Sequence, residues 1–115
     1  IKSPYNVSVA AEAALLASLE DSSTLLKNVG KIVDERHRMF SLLEAIPGVT
    51  PWPSFGNYIL CQFISGRAAE IYEALAMRGI FVRYFGSARL QDYCRVAVGT
   101  PDQTDSLVGA MREIV

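Results

Sequence analysis

Residues Ile80–Gly99 read IFVRYFGSARLQDYCRVAVG. The stretch divides into two strands, Ile80–Tyr84 and Cys94–Val98, turned back on each other through the loop Phe85–Tyr93. Alternation along the first strand puts Ile80, Val82 and Tyr84 on one face, with Phe81 and Arg83 on the other. Along the second, Cys94, Val96 and Val98 oppose Arg95 and Ala97. With both aliphatic faces turned inward, Arg83 and Arg95 project from the same side of the sheet. A simple hairpin register sets them nearly opposite each other, where like charges destabilise a sheet. Such a pair calls for either a carboxylate partner or an anionic ligand. The carboxylates of Asp92 and Glu70 are the candidates from within the chain. An arginine suits either role, because its planar, forked donors match carboxylate or phosphate and stay charged at all relevant pH.

Working outward from this pair, Val7–Leu19 is an alanine-rich helix former with Asn6 as its N-cap and Leu15, Leu16 and Leu19 on its apolar side. Asp21–Thr24 breaks that pattern and caps a second helix, about Ser23 to Ala45, ended by Pro47–Gly48. Its apolar stripe runs Leu25, Val29, Ile32, Arg36, Phe40 and Leu43, and its solvated side carries Lys27, Lys31, Asp34, Glu35 and Arg38. His37, the single histidine, is expected at the surface. Gly48–Asn57 reads as a turn-rich connection, with Trp52 as a packed loop anchor between two prolines, followed by a strand at Tyr58–Phe63. Ser65–Gly66 caps a helix over about Arg67 to Arg78, closed by Gly79 as the C′ residue, with Ile71, Ala74, Leu75 and Arg78 along one side. Thr100, Pro101 and Gln103 mark a last helix start, as N-cap, N1 and capping-box residue, ahead of the stripe Leu107, Val108, Met111 and Ile114. Arg89 is expected to be exposed in the loop between the arginine strands.

The predicted order is helix, helix, strand, helix, strand, strand, helix. It gives an α+β fold, a two-layer sandwich in which a small, mainly antiparallel sheet carries helices on one face. At 115 residues the chain reads as one domain, residues 1–115. Half the residues are hydrophobic and a fifth charged, with a net charge of −1. That balance provides no electrostatic footprint for nucleic acid or an anionic membrane, and no apolar run is long enough for a spanning helix. Cys61 and Cys94 fall inside strands without metal-ligand spacing, so they read as buried thiols in a reducing compartment. No phosphate-binding glycine loop, zinc-binding helix motif or serine nucleophile elbow occurs. The chain opens at Ile1 without an initiator methionine or a signal peptide, as expected of a piece excised from a longer protein.

Four segments carry a resemblance: PYNVSVAAEAAL from Pro4, PSFGNYILCQF from Pro53, GIFVRYF from Gly79 and CRVAVGTPDQTDSL from Cys94. Together they resemble the C-terminal small domain of histidinol-phosphate aminotransferases, fold-type I enzymes that depend on pyridoxal phosphate. The most specific part is Arg-x-x-x-Gly-Thr-Pro with an upstream Val-Arg, which is similar also to threonine-phosphate decarboxylases. The resemblance implies that Arg95 grips the carboxylate or phosphate of a substrate and that Arg83 helps hold the same group. It places Asn57 in the Ser-x-x-Asn segment before a strand facing the active site, and gives Tyr5, at the interdomain entry, no role. It implies a missing large domain, homodimers at full length, and a cytoplasmic enzyme, or a plastid one if the source is a plant or alga. The Schiff-base lysine belongs to that large domain; the lysines here are Lys2, Lys27 and Lys31, none in such a setting. No catalytic, cofactor-binding or metal-binding residue is therefore expected in this chain, and alone it is expected to be inactive. The remaining alternative is a stand-alone module that binds an anion or a partner on the same sheet face.

Overall fold

The computed structural model describes residues 7–64 and 66–115. The expectations placed on Tyr5, Asn6 and Ser65 lie outside the described residues. The elements are α1 (Val9–Glu20), α2 (Ser22–Glu44), β1 (Val49–Pro51), β2 (Tyr58–Phe63), α3 (Ala68–Met77), β3 (Arg83–Tyr84), β4 (Tyr93–Ala97) and α4 (Pro101–Ile114). Contacts group the chain into two units, Ile1–Lys31 and Ile32–Val115.

In the first unit Ser8 is the N-cap of α1: its hydroxyl accepts a hydrogen bond from the Ala11 amide at 3.2 Å. Asp21 closes α1, and its carboxylate accepts from the Ser23 hydroxyl at the start of α2. Every described residue of this unit is exposed, including Leu15, Leu16, Leu25, Leu26 and Val29. The stripe predicted for α2 is therefore buried only from Arg36 onward, with Met39 and Leu43 at its centre. Periodicity identifies the apolar side of a helix but not whether anything lies against it.

The second unit is an α+β sandwich. Its sheet has the order β1-β2-β4-β3, antiparallel throughout, so β4 is inserted between β2 and β3, the strands that α3 connects. Alternation decides what faces inward: Ile59, Cys61 and Phe63 of β2 and Cys94 and Val96 of β4 are buried, against Leu43, Ile71, Leu75, Leu107 and Met111 of the helices. Full burial of each such side chain is worth about 1.5–3 kcal/mol.

The sequence missed β1, because Gly48–Asn57 is dense in turn residues. Val49 pairs with Phe63 and Pro51 with Cys61 at the sheet edge, where a proline's lost donor is tolerated. The expected strand Ile80–Tyr84 shrinks to Arg83–Tyr84. Gly79, at φ +76°, is the predicted C′ residue, and it ends α3 in a Schellman motif: its amide donates to Ala76 O, and that of Ile80 to Leu75 O. That turn ties the chain to the helix end, and Ile80–Val82 leaves β4. The gap is an open cleft of about 540 Å³ between Ile80–Val82 and Val96–Gly99, floored by Thr104 and Leu107. At the start of α4, Gln103 Oε1 accepts from the Thr100 amide at 2.9 Å, as the capping-box reading requires.

Two charged residues differ from expectation, and a third, Arg67, makes a contact the sequence did not suggest. Glu35, assigned to the solvated side of α2, is only 7% exposed beside Arg38, which also pairs with Asp105 of α4. Arg78 is not on the sheet side of α3. It donates to Ala110 O at 3.0 Å and pairs with Glu113, joining α3 to α4. Arg67 reaches the last carbonyls of α4, donating to Ile114 O and Val115 O at 3.0 and 2.9 Å. A cation at a helix C-terminus is favoured by the helix dipole.

Candidate functional site

Arg95 lies at the middle of β4, opposite Leu60 of β2 on one side and opposite Arg83 of β3 on the other. Directly paired residues in antiparallel strands share a face. Cys94 and Val96 occupy the buried face, so Arg83 and Arg95 both leave the sheet on its open side, and both are exposed. The Trp52 amide donates to Leu60 O at 2.8 Å, continuing the β1–β2 register and placing Trp52 in the same transverse row. The row thus reads Trp52, Leu60, Arg95, Arg83 from one sheet edge to the other. Tyr58 and Ala97 flank it on one side, Gln62 and Tyr93 on the other.

Asp92 and Glu70, the carboxylates named as candidates to neutralise the pair, are bonded elsewhere. Asp92 Oδ1 accepts from the Gly66 amide at 2.9 Å. Glu70 is bonded to Arg67 at 3.1 Å, and that guanidinium holds its carboxyl below the usual carboxylate range. Among the described residues the ion pairs are Arg38 with Glu35 and Asp105, Arg67 with Glu70, and Arg78 with Glu113. Neither Arg83 nor Arg95 takes part in one. Each instead rests against an aromatic ring: Arg95 Cζ lies 5.2 Å from the Tyr58 centroid and Arg83 Cζ 5.8 Å from that of Phe85. Two unneutralised guanidinium groups across one strand pair form a strong acceptor-seeking surface, with ten N–H donors between them.

Asn57 is not brought to this pair. Its carbonyl accepts from the Val98 amide at 2.8 Å, extending the β2–β4 ladder. The alternation of β2 puts it on the side of Ile59, opposite that of Arg95. Arg89 and His37 are exposed, as expected. Trp52 is 49% exposed on the open face and is not the packed anchor predicted for it. Tyr58 was missed as a site residue, although the same period of two that buried Ile59 and Cys61 would have put it beside Arg95.

The thiols of Cys61 and Cys94 are free, buried and directly paired across β2 and β4. Burial pushes Cys61 up to about 12, with Cys94 adding to it, and Cys94 up to about 11. Among the described residues no three of His, Cys, Asp and Glu gather as a metal site, and no helix is long and apolar enough to cross a membrane. The arginine face supplies guanidinium, phenol, amide and indole groups but no amine. Lys27 and Lys31, the described lysines, are exposed on α2. An aldehyde cofactor needs an amine to form its covalent link, and the described residues of the arginine face do not supply one for pyridoxal phosphate.

The family model for aminotransferase class I and II matches residues 1–111. The chain belongs to that family of aminotransferases. Within it, the chain is 45% identical to the histidinol-phosphate aminotransferase of Roseiflexus castenholzii over 99% of its own length and 32% of that protein's. It is 44% identical to the chloroplastic histidinol-phosphate aminotransferase of Nicotiana tabacum, over 96% of its own length and 27% of the relative's. The chain thus spans about a third or less of these relatives. In solved structures the same fold occurs in the histidinol-phosphate aminotransferase of Clostridium acetobutylicum, with a TM-score of 0.84 at 20% identity, covering 98% of this chain and 35% of that one. The Sinorhizobium meliloti enzyme, solved in complex with pyridoxal-5'-phosphate, matches with a TM-score of 0.77 at 27% identity, covering 99% of this chain and 32% of that one.

Proposed function

We propose that this chain is the substrate-anion-binding small domain of a pyridoxal-phosphate-dependent aminotransferase, acting in the transfer of an amino group between histidinol phosphate and 2-oxoglutarate in histidine biosynthesis. The observation that carries the reading is the Arg83–Arg95 pairing on the open sheet face, with neither arginine in an ion pair among the described residues and with Asp92 and Glu70 bonded elsewhere. Paired guanidinium groups can grip a phosphate or carboxylate by parallel N–H donors, and strand mounting fixes the grip more rigidly than a loop does. The identity of 38–45% to histidinol-phosphate aminotransferases supports the substrate class.

In this reading the cofactor, its lysine and the bond-breaking chemistry belong to the remainder of a longer protein, which acts as a homodimer in the cytoplasm, or in the plastid if the source is a plant or alga. The chain by itself has no transaminase activity. The small domain positions the charged end of the substrate while the rest does the chemistry; the domain's own contribution is orientation and exclusion of water. Asn57, on the side of Ile59, lies outside the proposed anion clamp.

Titration of the 115-residue chain with histidinol phosphate, inorganic phosphate and glutamate, followed by amide and guanidinium NMR shifts, tests the proposal. Saturable shifts centred on Arg83 and Arg95 are expected. Replacing Arg95 by Ala removes charge-assisted hydrogen bonds worth about 1.5–3 kcal/mol, so affinity falls by about 10- to 100-fold. Absence of any saturable shift, or an Arg95→Ala chain that binds as well as the parent, refutes the site. A histidinol-phosphate response no stronger than that to inorganic phosphate refutes the named substrate.

A further inference from the structure

We propose that Tyr58 is a positioning residue for Arg95 and is itself set by a linkage running back through Gly56 to the buried guanidinium of Arg36. The inference rests on the anion-site reading of the arginine pair and deepens it. Tyr58 pairs with Ala97, two residues along β4 from Arg95 and on the same face, which makes Tyr58 and Arg95 diagonal neighbours. The guanidinium carbon of Arg95 stands over the phenol ring at 5.2 Å. A cation over a ring face is held by the ring quadrupole, while the N–H donors point outward in the guanidinium plane. Arg95 is thus held against the Tyr58 ring, and its N–H donors, which enter no ion pair among the described residues, are left for an oxyanion. An unsupported arginine on an open sheet face would have to surrender rotamer freedom when it binds; this one has surrendered part of it in advance.

The ring is held from below. A Cβ on Gly56 would approach Tyr58 Cε1 at 3.1 Å and Cδ1 at 3.4 Å, so any larger residue there must push the phenol aside by a few tenths of an ångström. Gly56 is fixed on both sides of its peptide group. Its amide donates to Ser54 Oγ at 3.2 Å, and its carbonyl accepts from Arg36 Nη1 at 3.0 Å. Arg36 is 8% exposed within the packed half of α2. A guanidinium that deep, bonded to a loop carbonyl, anchors the Pro53–Asn57 connection to the helix layer. The chain of contacts therefore runs from α2 through the loop and the ring to Arg95. Arg83 has only Phe85, at 5.8 Å and past the end of its short strand. One arm of the pincer is preset and the other is left to adjust, which suits a tetrahedral phosphate as readily as a planar carboxylate.

The test uses the 15N-labelled 115-residue chain, its Tyr58→Leu, Tyr58→Phe and Gly56→Ala variants, and inorganic phosphate as the probe. The Arg95 Nε–Hε resonance is expected upfield in the parent and in Tyr58→Phe, from the ring current, and at the position of a free arginine in Tyr58→Leu. Phosphate affinity is expected to fall about three- to five-fold in Tyr58→Leu, the range a solvent-exposed cation–π contact supports, and to stay within about two-fold in Tyr58→Phe. Gly56→Ala displaces the ring and gives a loss in the same direction. A Tyr58→Leu chain that matches the parent in both the Arg95 resonance and phosphate affinity overturns the positioning role and leaves the anion site standing. A parent chain with no saturable phosphate binding overturns the anion site, and this inference with it.

Discussion

The two faces of the β2–β4 pair are built from alternate residues of the same ten positions, and they have opposite characters. On the inner face Ile59, Cys61, Cys94 and Val96 are buried against three helices. On the outer face Tyr58, Leu60 and Arg95 stand open, with Arg83 added from β3. The inner face gains free energy from every apolar side chain it removes from water. The outer face places two like charges opposite each other, a pairing that costs stability. One face holds the fold together and the other carries a like-charge opposition that the proposed anion would relieve. The comparison teaches that residue parity along a single strand separates stability from function.

Substitutions on either face sharpen that contrast. Ile59→Ala is expected to have the largest effect, a loss of about 2–5 kcal/mol in urea unfolding, because Ile59 is fully buried and the cavity cannot be refilled by backbone collapse in a paired strand. A loss below about 1 kcal/mol would mean the inner face is not the stabilising one. Alkaline titration comes next. The thiols of Cys61 and Cys94 titrate near 9 when unfolded and at about 12 and 11 when folded. The native state therefore holds their protons more tightly, and stability is full below pH 9 and declines as pH rises through 11 to 12. Circular dichroism at fixed urea should record that decline, and Cys61→Ala together with Cys94→Ala should flatten it. The smallest effect is of opposite sign. Arg83→Leu removes the like-charge opposition and should stabilise the chain by about 0.2–1 kcal/mol while weakening anion binding. A destabilised Arg83→Leu chain would break the assignment of strain to the outer face.

Much of this was readable from residues in line. The strand Tyr58–Phe63, the Gly79 terminator, the Thr100–Pro101–Gln103 helix start and the shared face of Arg83 and Arg95 follow from local rules of alternation and capping. β1 was not legible, because an edge strand containing Pro51 has the composition of a loop until a partner strand is supplied. Nor was the short β3, since the choice between pairing with β4 and following the end of α3 is made by hydrogen bonds from Gly79 and Ile80. Glu35 and Arg36 sit one residue apart on α2 and both are buried, which no helical wheel of α2 alone specifies. The fate of Asp92 was likewise invisible, because the Gly66 amide that binds it is 26 residues away in the chain, whereas the Arg67–Glu70 pair has the local i,i+3 spacing.

By itself the sequence determined which side of each strand and helix is apolar, where the main helices begin and end, and that two arginines share one sheet face. Those properties depend on neighbours within a few residues, where backbone geometry is nearly fixed. The tertiary structure alone decided that β4 lies between β2 and β3, that Asp92 is held by the Gly66 amide, and that Arg36 bonds the Gly56 carbonyl. These outcomes are competitions between groups distant in the chain for one partner, and only the packed arrangement sets the distances that settle them.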